Sequence, residues 1–168
     1  VDGEKDDEPA KTPEYTAATT DNNVYRSEFA GLTATLGADW QVLTQAEILR
    51  FLRQAKEEGY YEMFLLELTT GMRRGEIIGL KWRDLNLQTG ELRISRQVVK
   101  TGKSVEITAP KTKSSIRTIL PPPDMVELLA ELKKQTTGEW MFPSPVKEGE
   151  PRNPTAVYHR FQLILERS

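Results

Sequence analysis

Residues 70–85 read TGMRRGEIIGLKWRDL, and this stretch constrains the fold more than any other part of the chain. It places two adjacent arginines, Arg73 and Arg74, just after Gly71, where one helix is expected to end and another to begin. Arginine is costly to bury, and its planar guanidinium can bind two phosphate oxygens at once. The stretch therefore predicts an exposed cationic turn suited to binding phosphate.

A second basic segment follows about forty residues later, where residues 111–122 read KTKSSIRTILPP. Lys113, Ser115 and Arg117 alternate along it, so in a strand they share one face. The alternative interpretation is a sheet edge that is protected by charge.

Together the two segments resemble the tyrosine recombinase (phage integrase) family. In that family T-G-M/L-R-x-G/S-E-I/L followed by G-L-x-W-x-D forms the first arginine box, and K-T-x-x-S-x-R marks the hairpin with the catalytic lysine. The resemblance covers about residues 42–168 and is strongest to integrases of phages and conjugative transposons, which are mobile elements. It implies a DNA-binding fragment of an enzyme that breaks and rejoins DNA strands through a covalent 3′-phosphotyrosine.

The resemblance also implies roles for three residues. Arg73 matches the first catalytic arginine, and Lys111 matches the lysine that protonates the departing 5′ oxygen. Glu76 matches an acidic residue that orients the Arg73 guanidinium, since positions i and i+3 are neighbours on a helix. For Glu76 the alternative is a simple surface ion pair, which contributes little to stability.

Four further residues are expected at the DNA. Arg74 is either a backbone-phosphate contact or a solvated neighbour of Arg73, while the alternating side chains of the second segment would follow the DNA backbone. The DNA-binding candidates are Arg74, Lys113, Ser115 and Arg117. The implied partner is double-stranded DNA at a recombination site, and the family needs neither a metal nor a nucleotide cofactor.

The family's remaining catalytic groups, an H-x-x-R box, a later His or Trp and the Tyr nucleophile, lie downstream of both motifs. The one histidine, His159, is followed three residues later by Gln162. Tyr60, Tyr61 and Tyr158 are interpreted as core or rim residues. We expect a truncated catalytic domain that is inactive alone and that associates with itself or with the missing C-terminal half.

Composition fits a globular chain, with 38% hydrophobic and 29% charged residues among 168. No apolar run approaches the roughly 20 residues that span a bilayer. The sequence contains 0 cysteines, so it has no disulfide and no thiolate metal site. Charge is segregated: residues 1–40 carry a net charge of −6, and residues 73–117 carry +7. The local excess suits a polyanion site, and the alternative is a solvated charged face.

The predicted fold class is α+β, mostly helical with a small three-stranded antiparallel sheet. Capping signals and apolar periodicity predict helices over about 44–58, 60–70, 74–79, 124–134 and 154–166. Alternating residues predict strands over 91–99, 105–108 and 116–120. Ile48, Leu49, Leu52 and Ala55 are expected on the buried face of the first helix. Trp82, Leu85 and Leu87 are expected in the core beneath the arginine turn.

The first 41 residues do not match the recombinase family. Residues 1–20 are acidic and rich in Pro and Thr, and we expect a disordered tail. Residues 21–41 predict a short hairpin of unknown origin, similar to the first module of some secreted bacterial lipoproteins. A recombinase would lie in the bacterial cytoplasm with the nucleoid. The alternative is a secreted or surface protein, not an enzyme, that contains a degraded integrase segment.

Overall fold

A computed structural model describes residues 19–21, 24–27, 32–35, 43–102, 104–109 and 116–168. The chain divides into two compact units, residues 1–44 and residues 45–168. The boundary falls close to residue 42, where the recombinase-like segment was predicted to begin.

The first unit contains three short antiparallel strands, β1 (Thr19–Asp21), β2 (Val24–Ser27) and β3 (Leu32–Thr35), in that order. Tyr25 of β2 lies opposite Thr20 and Ala34. The β2–β3 pair falls where a hairpin was expected, whereas β1 includes the last two residues of the expected disordered tail. The rest of that tail, residues 1–18, lies outside the described residues.

The second unit is mainly helical, which confirms the predicted fold class. Its helices are α1 (Gln45–Glu57), α2 (Tyr61–Thr70), α3 (Arg74–Ile78), α4 (Pro123–Gln135) and α5 (Pro154–Arg167). Glycine ends α2, because Gly71 adopts a φ of 63°. At the start of α5, Asn153 accepts hydrogen bonds from the backbone of Thr155 and Ala156.

The strands of this unit are β4 (Leu92–Ile94), β5 (Gln97–Thr101), β6 (Ser104–Thr108) and β7 (Arg117–Ile119). β4 pairs with β7, and β5 pairs with β6, all antiparallel. The predicted strand 91–99 is therefore divided, and the described residues form two two-stranded ladders in place of one three-stranded sheet. The division coincides with Arg96, whose guanidinium donates to Asp84 and to the Gly79 carbonyl oxygen.

The core joins α1, α2 and α5 through three phenylalanines. Phe51 lies 5.3 Å from Phe64 and 5.5 Å from Phe161, measured between ring centres. Such tilted and edge-to-face pairs stabilise beyond their buried area. The largest fully buried side chains are Leu66, Ile77, Ile78, Leu80, Leu92, Ile94, Leu129, Met141, Ile164, Val98 and Val157.

Two residues that were expected in the core are exposed. Leu49 is 53% exposed, because the buried face of α1 consists of Phe51, Leu52 and Ala55 and leaves Leu49 at its edge. Leu87 is 40% exposed, because it follows Asn86 in a turn closed by the Asn86 side chain. Trp82 and Leu85 are buried as predicted.

Two arginines of the last helix pair with one carboxylate that directly follows α1. Glu58 accepts hydrogen bonds from Nη1 of Arg160 at 2.8 Å and from Nη1 of Arg167 at 2.9 Å. Burial raises the pKa of Glu58, but the two guanidiniums and Gln54 outweigh that effect and lower it overall. Among the described helices, none combines the length and the apolar character that crossing a bilayer requires.

Candidate active site

The arginine box forms a sharp turn between two helices. α2 ends at Gly71, whose N–H donates to the Glu67 carbonyl oxygen, and α3 begins at Arg74. Arg73 lies between them in extended conformation, with φ −70° and ψ 142°. Its side chain is 76% exposed. The sequence thus places a fixed backbone and an exposed guanidinium at the same residue, as predicted for a cationic turn.

Glu76 lies beneath Arg73, and its side chain is only 4% exposed. Oε2 accepts a hydrogen bond from the Arg73 backbone N–H at 2.9 Å, and Oε1 accepts one from Arg73 Nη1 at 3.3 Å. A buried charge needs such partners, because an unpaired carboxylate in this position would be strongly destabilising. Glu76 is thus buried, whereas its partner Arg73 is largely exposed.

Arg117, at the start of β7, contacts the same carboxylate. Its Nη1 donates to Oε1 of Glu76 at 2.9 Å, and its Nη2 donates to Oε2 at 3.0 Å. The hydrogen bonds from Arg117 are the main reason that the pKa of Glu76 is lowered, burial opposes them, and Arg73 adds to them. The same contact raises the pKa of Arg117. Glu76 therefore stays ionised and holds two arginines together.

Arg74 is exposed and points toward the last helix. Its guanidinium carbon lies 5.2 Å from the centre of the Tyr158 ring, which is a cation–π contact. Burial raises the pKa of nearby Glu67, and the positive charge of Arg74 opposes that rise. Arg74 is thus associated with α2 and α5, away from the carboxylate that binds Arg73.

Close backbone packing supports the turn from below. A Cβ on Gly75 would lie 2.7 Å from the carbonyl oxygen of Val98, and one on Gly79 would lie 3.2 Å from the Arg96 side chain. α3 can therefore pack directly on β5 because position 75 lacks a side chain, and Gly79, just after α3, lies against Arg96, just before β5. Sequence reasoning missed this role of the glycines, although their spacing of four on one helix face was a visible signal.

A second buried ion pair was also missed. Asp84 is only 6% exposed in its side chain and is paired with Arg96. Asp84 also accepts a hydrogen bond from the Lys81 backbone N–H at 2.8 Å. This carboxylate therefore joins the end of the arginine box to the link between β4 and β5. The aspartate in the sequence KWRD was a visible candidate, but nothing in the sequence identified Arg96 as its partner.

The structure leaves part of the predicted site undescribed. Lys111, Lys113 and Ser115 lie outside the described residues, so their positions stay predictions. His159 is exposed on α5, and Tyr60 stacks on Phe64 with ring centres 5.6 Å apart. Among the described residues, no group of three or more histidine, aspartate or glutamate side chains is arranged to bind a metal ion.

Comparison with protein families gives a match to the phage integrase family over residues 41–168. The chain belongs to the phage integrase family. A similar curated protein is a tyrosine recombinase XerC-like protein of Caldanaerobacter subterraneus subsp. tengcongensis, 31% identical over 109 residues. The match covers 59% of this chain and 28% of that protein, so the chain spans less than a third of its relative.

Solved integrase structures share the fold. The Tn1549 transposon integrase, solved in complex with circular intermediate DNA, is 22% identical with a TM-score of 0.66; the match covers 79% of this chain and 48% of that chain. The XerA recombinase is 18% identical with a TM-score of 0.57, over 78% of this chain and 44% of that chain. The match thus covers just under half of each of these solved chains.

Proposed function

We propose that this chain supplies the phosphate-binding part of a tyrosine recombinase active site, which breaks and rejoins DNA through a covalent 3′-phosphotyrosine. The observation that carries the proposal is the contrast between Arg73, which is 76% exposed, and Glu76 beneath it, which is 4% exposed. An arginine held from below by a buried carboxylate keeps its remaining donors available to an anion.

In this proposal Arg73 binds the non-bridging oxygens of the scissile phosphate. Strand exchange needs those oxygens neutralised as charge develops, and a preoriented guanidinium does this without reorganising during the reaction. Glu76 keeps the guanidinium in place. Arg74, one residue away and exposed, is proposed as a contact to a neighbouring phosphate.

Lys111 is proposed as the general acid that protonates the departing 5′ oxygen. Lysine can fill this role because its pKa shifts readily near other charges. Lys113 and Ser115 are proposed to face the DNA backbone, where contacts to phosphate position the protein without reading sequence. Arg117 was also expected there, but both of its terminal nitrogens donate to Glu76. The net charge of +7 over residues 73–117 supports this assignment.

The nucleophile and the second arginine are proposed to come from outside these 168 residues. Residues 42–168 are then a partial catalytic domain behind an acidic tail (1–20) and a hairpin-like leader (21–41), and the chain binds DNA without cleaving it. A bacterial cytoplasmic location, with the nucleoid, follows from this role. Self-association, or pairing with a C-terminal half, would complete the domain.

The direct test is binding of a fluorescently labelled DNA duplex, followed by anisotropy at low salt. We expect binding, and we expect Arg73→Ala to lower the affinity several-fold, because a fixed phosphate ligand is lost. Lys134→Ala is the matched control, since Lys134 is a cation at the exposed end of α4 that pairs locally with Glu131. Absence of binding, or equal losses in both variants, would contradict the proposal.

A further inference from the structure

Arg117 was expected only as a contact to the DNA backbone, but in the structure its side chain forms an ion pair with Glu76. It lies 41 residues from Glu76 in sequence, and both of its terminal nitrogens donate to that carboxylate, at 2.9 and 3.0 Å. Such a two-bond arrangement fixes the plane of the carboxylate as well as its position. The side chain of Arg117 is 35% exposed, less than half the exposure of Arg73.

The two arginines share one oxygen unequally. Oε1 of Glu76 accepts from Arg117 Nη1 at 2.9 Å and from Arg73 Nη1 at 3.3 Å. Oε2 accepts from Arg117 Nη2 and from the Arg73 backbone N–H. The shorter and doubled side-chain contact is the one with Arg117. The contact from the Arg73 side chain is the longest of the four hydrogen bonds to this carboxylate.

We propose that Arg117 is a positioning residue, which fixes the Glu76 carboxylate and through it the orientation of the Arg73 guanidinium. The proposal rests on the proposed function, because it concerns the same phosphate site. A guanidinium that is already oriented loses less conformational freedom when phosphate binds, which increases affinity without an additional contact.

This role also explains why two distant motifs act together. Arg117 belongs to the second basic segment, and Glu76 belongs to the arginine box. Their ion pair joins β7 to α3, so a displacement of β7 would be transmitted to Arg73. An Arg117 that only contacted DNA would have no such effect in the free protein.

The first test uses the free chain and needs no DNA. We expect Arg117→Gln to raise the pKa of Glu76, measured by NMR titration of its side-chain carboxyl, and to lower the ¹⁵N order parameter of the Arg73 Nε. Arg93→Gln is the matched control, because Arg93 is exposed on the neighbouring strand β4, where it pairs with Thr118, the residue after Arg117. An unchanged Arg73 order parameter in Arg117→Gln would overturn the proposal.

Arg117→Lys provides a second variant that keeps the positive charge. Lysine lacks the planar fork, so we expect it to mobilise Arg73 as Arg117→Gln does. If it preserved the order of Arg73, charge alone would be sufficient and the proposal would be wrong. Circular dichroism would establish that each variant is folded before it is compared.

The second test is a double-mutant cycle on DNA affinity with Arg73→Ala and Arg117→Gln. If Arg117 acts through Arg73, the double variant should bind within about twofold of Arg73→Ala alone. Losses that multiply would show that Arg117 contacts the DNA independently, and would overturn the proposal. For the control pair, Arg73→Ala and Arg93→Gln, the two effects on DNA affinity should multiply.

The two tests separate the two hypotheses. A chain that binds no DNA, but whose Arg73 is mobilised by Arg117→Gln, would refute the proposed function and retain the positioning role. A chain that binds DNA, but whose Arg73 is unaffected, would refute the positioning role and retain the proposed function.

Discussion

Gly75 and Val98 approach so closely that a Cβ at position 75 would lie 2.7 Å from the Val98 carbonyl oxygen. The obstacle is backbone, and it belongs to a buried residue of β5. Neither group can move without displacing α3, which carries Glu76. The arginine turn therefore requires glycine at position 75.

Gly75→Ala should consequently destabilise the protein. Alanine favours helix over glycine by about 1 kcal/mol, but overpacking of this kind costs about 1 to 3 kcal/mol. We expect a net loss in the free energy of unfolding, measured by urea denaturation. Gly79→Ala is the control, because Gly79 directly follows α3 and a Cβ there would meet softer contacts of 3.2 to 3.3 Å, so this variant should cost less. Equal stability of the two variants would contradict this account.

The stability of the domain should depend on the ionisation of Glu76. Because Arg117 lowers the pKa of this carboxyl in the folded state, its contribution is complete above the pKa of the unfolded chain and is lost as the pH falls through the folded value. Glu76→Gln should lower the free energy of unfolding by about 1 to 3 kcal/mol at neutral pH. In acid, the difference in this free energy between the variant and the parent should become smaller. Urea denaturation across the acid range would measure this.

The control for that experiment is Glu57→Gln. Glu57 is an exposed carboxylate at the end of α1. Its replacement removes one exposed carboxylate, and its effect on the free energy of unfolding should be small. A difference between Glu76→Gln and the parent that stays constant through the acid range would show that Glu76 titrates normally and that its pair with Arg117 is not formed in solution.

The second basic segment should make the DNA affinity depend on salt. Lys113→Ala should flatten the plot of log affinity against log salt by about one unit, because one phosphate contact no longer releases counterions. Ser115→Ala removes a neutral group, so it should lower the affinity without changing the slope. An unchanged slope in Lys113→Ala would show that this side chain does not face the DNA.

The chain alone should not form a covalent bond with DNA. Its sequence has no H-x-x-R box, and its tyrosines near the site are engaged in other contacts, as with Tyr158 beside Arg74. A nicked suicide substrate, analysed by denaturing electrophoresis, should give no protein–DNA adduct. If an adduct appeared, Tyr60→Phe, Tyr61→Phe and Tyr158→Phe would identify the nucleophile that our assignment had missed.

The buried and the partly exposed apolar side chains of the last helix should have different roles. Phe161→Ala should destabilise the domain by about 2 to 4 kcal/mol, because it removes a ring that packs on Phe51 and Phe64. Leu163 and Leu165 are 39% and 38% exposed, so Leu163→Glu with Leu165→Glu should preserve stability and reduce self-association in sedimentation. A parent chain that sediments as a monomer would refute the proposed self-association.

Local signals were sufficient to predict the helices. The Asn153–Pro154 start of α5 and the glycine end of α2 need only the chemistry of neighbouring residues, and both occur as predicted. The exposed Arg73 above Glu76 could also be predicted, because the two residues are one helical turn apart.

Pairings between distant residues could not be predicted in the same way. Two such ion pairs are Asp84 with Arg96 and Glu76 with Arg117. They form because of the way β4, β5 and β7 pack, and the sequence alone does not determine that packing. The divided strand at Arg96 is an example: the strand was predicted over residues 91–99, but Arg96 interrupts the apolar set Leu92, Ile94 and Val98. Tertiary hydrogen bonds from Arg96 to Asp84 and Gly79 accompany the break.

The contact between Glu58 and the last helix joins residues that the ribosome synthesises far apart in time. Arg160 and Arg167 follow Glu58 by 102 and 109 residues. At about 5 to 20 residues per second, α1 would leave the ribosome about 5 to 20 s before α5. During that interval the ring of Phe51 lacks Phe161 as a neighbour. Premature termination anywhere before α5 would therefore release a chain with an uncovered aromatic surface, which would be a substrate for chaperones and proteases.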